Sequence, residues 1–416
     1  MKTNIWIMNH YASGMYFDHG GRHYNFAKYL RRAGYKPVVF GANSKHGKAE
    51  RFFETDALWE EHFAEEIDTP FVFVRARTYT GNGKQRVLNM IDFYRNVKKA
   101  AKEYAAQHGR PDVIFASSVH PLTLVAGIQL AKQFGVKCVC EVRDLWPESI
   151  VSFGIAGPHN PAVLALRRLE KWIYKKADAL VFTMEGAYDY IMEQGWENEI
   201  PRSKVYHINN GVDLESFDYN KEHFRIEDPD LDDPDTFKVV YTGSIRKANG
   251  LGILVDAAKA IRDPRSKILV WGEGDEREEL TRRVEEEGLT NIIFKGKVEK
   301  KYVPAIVSRA DLNLIHWGEV HMIQYGVSYN KLFDYMAAGR PIFSTVRPGY
   351  SIWEKYDCGR DTEDSRPEPL AHELGKMAAL PPEELSRLGR NARKGAEDYD
   401  FRVLTQKLLN VIGEIE

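Results

Sequence analysis

Tyr325–Ile342 reads YGVSYNKLFDYMAAGRPI, and the spacing of its residues decides the fold. Leu332, Phe333, Tyr335 and Met336 make an apolar flank at helical spacing, and Ala337 and Ala338 allow close packing. Gly339 stands where a helix takes a left-handed terminal residue. A helix is therefore expected from just before Lys331 to Gly339, with a strand opening at Pro341. Ahead of it lies the loop Gly326–Val327–Ser328, whose amides are expected to be free to face an anion. The helix dipole adds about 0.3–1 kcal/mol in the same direction, and Lys331 brings a full positive charge. Asp334 falls about one turn later on the same face, where a carboxylate accepts hydrogen bonds from a ribose diol. Phosphate donors followed by a ribose acceptor describe a nucleotide site. An ordinary α/β-layer helix with a solvated Lys and Asp has the same spacing.

The segments around this stretch form a doubly wound plan. Strands are expected at Val239–Thr242, Lys267–Trp271, Ile292–Phe294, Leu312–Ile315 and Pro341–Ser344, with helices between them. The loops beyond their carboxyl ends carry glycine and base: Gly243–Ser244–Ile245–Arg246–Lys247, Gly272–Glu273–Gly274–Asp275, and Gly326 to Lys331. The N-terminal half repeats the plan, with strands at Ile5–Met8, Pro37–Phe40, Phe71–Val74, Val113–Ala116, Lys137–Glu141, Ala179–Thr183 and Val205–Ile208. Gly20–Gly21 opens the first helix, Arg22–Ala33, where a ligand can approach its N-terminus closely. Three strand ends are polar: Asn9–His10–Tyr11, Ser117–Ser118–Val119–His120–Pro121, and Arg143–Asp144–Leu145–Trp146–Pro147–Glu148. Ligands of open α/β sheets bind beyond that edge.

With 416 residues, 43% hydrophobic and 28% charged, the chain is too long for one ordinary core. Asn209–Asp213 reads as a hinge, and the acidic run Glu227–Asp235 as a solvated linker. The expected domains are residues 1–210 and 211–398, with the last helix, residues 399–416, crossing back to the first. Lys plus Arg is 58 against Asp plus Glu 60, a net charge of −2, so no global field points to nucleic acid. The apolar start is too short for a signal peptide, and no stretch approaches the roughly 20 apolar residues of a membrane span. Cys138, Cys140 and Cys358 give no disulfide framework, and a cytoplasmic location is expected. Tyr79–Arg86 reads as a mobile, glycine-rich basic loop. The helices Val87–Gln107 and Pro161–Lys176 mix base with aromatic residues. They are either amphipathic surface helices or a face resting on an anionic bilayer at the inner side of the plasma membrane.

Taken in order, Gly20–Gly21, SSVHP at Ser117–Pro121, EVRDLWPES at Glu141–Ser149, INNGVD at Ile208–Asp213, YTGS at Tyr241–Ser244, WGEGDE at Trp271–Glu276 and NKLFDYMAAGRPI at Asn330–Ile342 resemble a retaining glycosyltransferase of family 4. The likeness spans essentially the whole chain. It is similar to the subgroup that builds O-antigen or capsule polysaccharides, N-acetylfucosamine-type transferases included. The resemblance implies the GT-B architecture: two Rossmann-like domains facing across a cleft, the first binding acceptor and the second nucleotide-sugar. Asp334 would hold the ribose hydroxyls, and Lys331 with the amides of Gly326, Val327 and Ser328 would grip phosphate and sugar. Gly272, Glu273, Gly274 and the loop ending at Val298 would border base and ribose. Gly20, Gly21, Gly243, Tyr325 and Leu332 complete the implied donor site. His120 would lie near the donor sugar and phosphate, with Lys331 and Arg246 as its catalytic companions. Tyr11, Arg143, Asp144, Trp146 and Glu148 would wall the acceptor.

Two positions depart from the family pattern. Gly326 stands eight residues before Asp334, where a first carboxylate is common; Glu319 is the nearest upstream acid and takes no role here. Ser244 stands where an Arg is usual and Asn249 roughly where a Lys is, so Arg246 and Lys247 are the candidate replacements. The implied reaction transfers a sugar with retention from a nucleoside diphosphate, UDP first, with an N-acetylated hexosamine or deoxyhexosamine as donor sugar. The acceptor would be a saccharide, lipid-linked by preference. Neither metal nor cofactor is expected. An epimerase or phosphorylase on the same plan, or a two-lobed sugar-binding protein, are the alternatives.

Overall fold

Strands of a parallel sheet are buried on both faces and therefore read as unbroken apolar runs. The computed structural model, which describes residues 3–318 and 321–415, places such runs in two sheets. The chain divides into two compact units, Met1–Asn209 with Phe401–Glu416, and Asn210–Asp400.

The first unit contains β1 (Asn4–Met8), β2 (Lys36–Ala42), β3 (Trp59–Ala64), β4 (Thr69–Val74), β5 (Val113–Ser117), β6 (Lys137–Val142), β7 (Ala179–Phe182) and β8 (Val205–His207). Their order across the sheet is β3-β4-β2-β1-β5-β6-β7-β8. All pairs are parallel except β3 with β4. The spacing does not predict β3: WEEHFA is an edge strand with charged residues, and an edge needs only one apolar face. Ile5, Ile7, Val39, Phe71, Phe115, Val139 and Val181 form the core beneath the helix Arg22–Arg32. The C-terminal helix, Phe401–Ile415, packs on that same helix, with Phe401 edge-on to Phe26 at 5.5 Å and Leu404, Leu408 and Ile412 buried.

The second unit contains β9 (Phe237–Thr242), β10 (Ser266–Trp271), β11 (Ile292–Gly296), β12 (Leu312–Ile315), β13 (Ile342–Ser344) and β14 (Gly359–Asp361), all parallel, in the order β11-β10-β9-β12-β13-β14. The three-residue β14, Gly-Arg-Asp, carries no apolar signal and is also absent from the sequence reading.

Two loop expectations are corrected. The acidic run is not a solvated linker. Asp228 caps a short helix, Pro229–Asp232, and the carboxylates are tied to the rest of the unit: Lys295 on β11 meets Asp228 at 2.9 Å and Asp230 at 2.6 Å, and Arg309, at the end of the helix Val303–Ser308, meets Asp232 at 2.7 Å. Nor is Tyr79–Arg86 a loose basic loop. Tyr79 is buried, and Lys84 begins the long helix Lys84–His108, so the basic residues form its first turn.

Candidate functional site

In the second sheet the chain runs outward from β9 through β10 to β11, then returns to start β12 on the other side of β9. The crevice at such a reversal is where open α/β sheets bind ligands. The helix Asn330–Ala337 follows β12, and its boundaries follow the apolar spacing. Leu332, Phe333, Tyr335 and Met336 are buried, and Gly339 takes the left-handed conformation at φ +68°. Tyr335 pins the helix to the sheet, its hydroxyl accepting the Thr242 N–H at 2.8 Å.

That anchorage lays Lys331 across the end of β9. Its Nζ lies 3.8 Å from the centroid of the buried Tyr241 ring, a favourable seat for a cation. Gly243 completes the seat, since a Cβ there would come within 2.5 Å of Nζ. Burial pushes the Lys331 ammonium down to about 7. One turn on, burial pushes the Asp334 carboxyl up to about 7, opposed by Lys300. Both residues keep a partial window to solvent. An ammonium and a carboxylate held at the edge of ionisation, without pairing to each other, are poised for ligands that supply the missing charge or hydrogen bond.

Other expected donor contacts lie differently. The Gly326 N–H is not free, because it donates to the Ile323 carbonyl at 3.0 Å in a turn where Gly326 has φ +101°. Ser328 is tied down as well: its Oγ accepts the Asn210 N–H at 3.2 Å and its carbonyl accepts Asn210 Nδ2 at 2.7 Å. Val327 and Leu332 are core side chains, Val298 packs on the same core, and Tyr325 is buried. Glu319 lies outside the described residues. Gly272 and Gly274 have a packing role, since a Cβ at either would strike the Gly243 or Ile245 carbonyl oxygen at 1.8 or 2.0 Å. These glycines let the β9 and β10 loops interlock, with the Ile245 N–H donating to the Glu273 carbonyl at 3.0 Å. Glu273 itself faces out and pairs with Arg277.

Asn249 is buried, and its Nδ2 donates to the Ser244 carbonyl at 2.8 Å and hydroxyl at 3.1 Å. It clamps the loop and leaves Arg246 and Lys247 exposed on the outside, with no ion pair among the described residues. The sequence reading missed His316, the residue after β12. Gly250 O can only accept, so His316 donates to it through Nε2 at 3.2 Å, and its Nδ1 accepts the Thr345 hydroxyl at 2.7 Å. Burial holds this imidazole down at about 4. A polar residue immediately after an apolar strand run was the available signal. Tyr241, a strand residue, gave none.

The first sheet reverses between β1 and β5. His10 follows β1 and His120 lies just beyond β5. Both are buried, and His10 Nδ1 lies 2.7 Å from His120 Nε2. Burial pushes the His120 imidazole down to about 3, with Arg86 adding to the effect. Beneath the strand ends runs a buried network. Asn9 donates to Ser117 Oγ at 3.0 Å, Ser117 donates to Glu141 at 2.6 Å, and Arg22 and His23 meet the same carboxylate at 2.6 and 3.1 Å. Arg22 also donates to the Ile208 and Asn209 carbonyls at 2.8 and 2.6 Å. Gly21, at φ +103°, turns the chain into the helix that carries Arg22, with Gly20 before it.

Of the expected acceptor residues, the Tyr11 hydroxyl meets that of Tyr79 at 3.1 Å, and Arg143 donates its N–H to Ser118 Oγ at 3.0 Å. Asp144 is exposed and Trp146 half-buried. Glu148 is engaged with Arg167 at 3.0 Å.

Residues 22–216 match the family model described as Glycosyltransferase Family 4, and residues 236–379 the model Glycosyl transferases group 1. The chain is 25% identical over 287 residues to "Probable glycosyltransferase WbjE" of Pseudomonas aeruginosa, covering 67% of this chain and 68% of that protein. It is 24% identical over 218 residues to "Putative colanic acid biosynthesis glycosyl transferase WcaI" of Escherichia coli (strain K12), covering 51% and 52%. The crystal structure of Anabaena HepE in complex with UDP superposes over the full length of both chains, with a TM-score of 0.65 at 15% identity.

Proposed function

From a chain that belongs to glycosyltransferase family 4 and has the GT-B fold, we infer an enzyme that transfers a sugar from a nucleoside-diphosphate sugar to a saccharide acceptor in cell-surface polysaccharide biosynthesis. One observation carries the donor assignment: Lys331 seated on Tyr241 at the strand reversal, with Asp334 one turn behind it. In this reading the ammonium faces the diphosphate and the carboxylate takes the ribose hydroxyls. As the bond from anomeric carbon to diphosphate oxygen breaks, negative charge grows on the diphosphate, and Lys331 neutralises it in a desolvated setting. Arg246 and Lys247 add long-range attraction from the exposed loop. The acceptor hydroxyl bonds to the same face of the anomeric carbon, and its proton leaves with the diphosphate, which gives retention.

UDP is the proposed nucleotide, since HepE is seen with UDP. An N-acetylated hexosamine or deoxyhexosamine is the proposed donor sugar, and Tyr11, Arg143, Asp144 and Trp146 are the proposed acceptor wall. Replacing Asp334 by alanine is expected to weaken UDP binding by about 1–3 kcal/mol, the cost of losing a buried acceptor. Titration calorimetry checks this, and unchanged affinity would remove Asp334 from the site.

Among the described residues no helix is long and apolar enough to cross a membrane. The helix Pro161–Lys176 exposes Leu164, Trp172, Arg168 and Lys176, and Phe153 and Ile155 are exposed in the segment before it. This combination suits a lipid-linked acceptor met at an anionic, cytoplasmic membrane face. Flotation of the protein with vesicles containing anionic lipid is expected at low salt and should fade as salt is raised. Absence of flotation at low salt would argue for a soluble acceptor.

A further inference from the structure

A guanidinium stays charged at any pH a protein survives, and one that is drawn into the protein is usually paired. Two arginines of the first unit are not. Arg86 lies in the first turn of the helix Lys84–His108, and Arg143 follows β6. Both are half-buried, and among the described residues neither forms an ion pair. In each, Nε is shut off from solvent and has no acceptor. The outer nitrogens remain open. Arg86 donates one to Asn82 Oδ1 at 2.8 Å, and Arg143 bonds through its backbone alone, to Ser118 Oγ at 3.0 Å and from the Thr183 hydroxyl at 3.3 Å. Asp144, next along the chain, is exposed and pairs with neither.

The fold brings both to the same strand ends. Ser118 follows β5, two residues before His120, so its bond to Arg143 ties the exits of β5 and β6 together. Arg86 arrives from the helical side. The helices Lys84–His108 and Pro121–Phe134 each lead from the carboxyl end of one parallel strand to the start of the next, so they run in the same direction. Tyr94 and Lys98 of the first both donate to Gln129 of the second at 3.0 Å. Arg86 stands eight residues before Tyr94 and Pro121 eight before Gln129, which brings Arg86 level with Pro121, the neighbour of His120. Phe93 fixes the face, its ring centroid 4.4 Å from that of His10. Arg86 is two turns before Phe93 on that face, about 10 Å further out past the sheet edge. The downward push that Arg86 exerts on the His120 imidazole agrees with this placement.

Two fixed positive charges at one set of strand ends, with no carboxylate paired to them, suit an anion. A sugar hydroxyl accepts from a guanidinium but leaves its charge uncompensated. A carboxylate or phosphate group takes two of its N–H groups at once and neutralises it. We propose that Arg86 and Arg143 clamp an oxyanion in the acceptor site, so that the acceptor carries an acidic group: the carboxylate of a uronic acid residue, or the phosphate that joins a saccharide to its lipid. The word acceptor rests on the glycosyltransferase reading; the anion clamp does not.

Titration calorimetry on the full chain tests this, with UDP added at saturation to fill the donor site. The probes are methyl glucuronide, methyl glucoside and farnesyl diphosphate. One of the two anions is expected to bind at least about tenfold more tightly than the glucoside, the effect of hydrogen bonds to a charged group. Glucuronide as the tighter anion identifies a uronic acid as the source, and farnesyl diphosphate a lipid phosphate. Arg86→Leu and Arg143→Leu are each expected to weaken that binding about tenfold and to leave UDP affinity within about twofold, which also reports an intact fold. Arg86→Lys keeps the charge without the fork and is expected to fall between. Equal binding of anion and glucoside, binding of neither anion, or anion binding unmoved in either leucine variant would overturn the proposal. A loss of UDP affinity of about tenfold in those variants would place the arginines against the donor diphosphate and sink it as well. A protein that holds the anion through both arginines, yet binds no UDP and transfers no sugar, would refute the glycosyltransferase reading and leave the clamp standing.

Discussion

Replacing Lys331 by methionine is expected to lower kcat/KM for sugar transfer by about 10²–10³-fold, the range seen when one preorganised charge-stabilising group is removed. Methionine keeps the length and apolar bulk of the stem and its contact with Tyr241, so the loss reports the charge alone. The same substitution is expected to make the protein more stable. Burial holds the folded Lys331 near 7, against an ordinary value of 10.5. Between those values the unfolded chain binds more protons than the folded one, so stability from this group rises with pH across the window. The penalty is full below about pH 7 and vanishes towards pH 10.5. A melting-temperature gain for Lys331→Met is therefore expected at pH 6–7 and should shrink as pH rises. A variant with unchanged activity, or one destabilised at pH 6, would remove Lys331 from the donor site or from its buried state. Loss of function joined to gain of stability is the mark of a group held in place for chemistry.

Why this lysine was legible and its surroundings were not follows from the range of the interactions. The helix Asn330–Ala337 is a local object, and apolar spacing with a terminal glycine defines it. Parallel strands are equally local, because burial on both faces writes an apolar run. Edge strands such as β3, and short ones such as β14, escape that signal. The amide of Gly326 looked free because its acceptor, Ile323, belongs to a turn that spacing does not reveal. Gly272 and Gly274 looked like ligand glycines, but what they meet is the backbone of a loop some thirty residues earlier. Asn249 looked like a missing cation, whereas Lys331 supplies a cation from a different strand end. His10 and His120 lie 110 residues apart, and only the sheet's reversal between β1 and β5 brings them together. Strand-end polarity was visible in each case; which ends become neighbours is a property of the topology.

That topology is held at the first reversal by Glu141, and Glu141→Ala is expected to destabilise the protein by about 3–5 kcal/mol, the usual cost of removing one partner of a buried ion pair. Glu141 is fully buried and Arg22 is 3% exposed, so alanine would take this carboxylate from a buried guanidinium and leave the Ser117 hydroxyl without its acceptor. Burial alone would push the Glu141 carboxyl up, but Arg22 and His23 overcome it and hold it well below the usual carboxylate range. A carboxyl depressed on folding contributes stability that is present above its ordinary value of 4.5 and is lost as pH falls below it. Urea unfolding at pH 7 and pH 4 should therefore show a smaller difference for Glu141→Ala than for wild type. The pairing itself is separable from mere loss of packing. Glu141→Leu with Arg22→Met removes both charges together, so the double variant should be less destabilised than the sum of the single variants by well over 1 kcal/mol. Simple additivity would mean that the two residues do not depend on each other. Ser117 links Glu141 to Asn9, the neighbour of His10. Loosening this network is thus expected to blur the His10–His120 contact even in molecules that remain folded, so that sugar transfer declines at temperatures below the onset of unfolding.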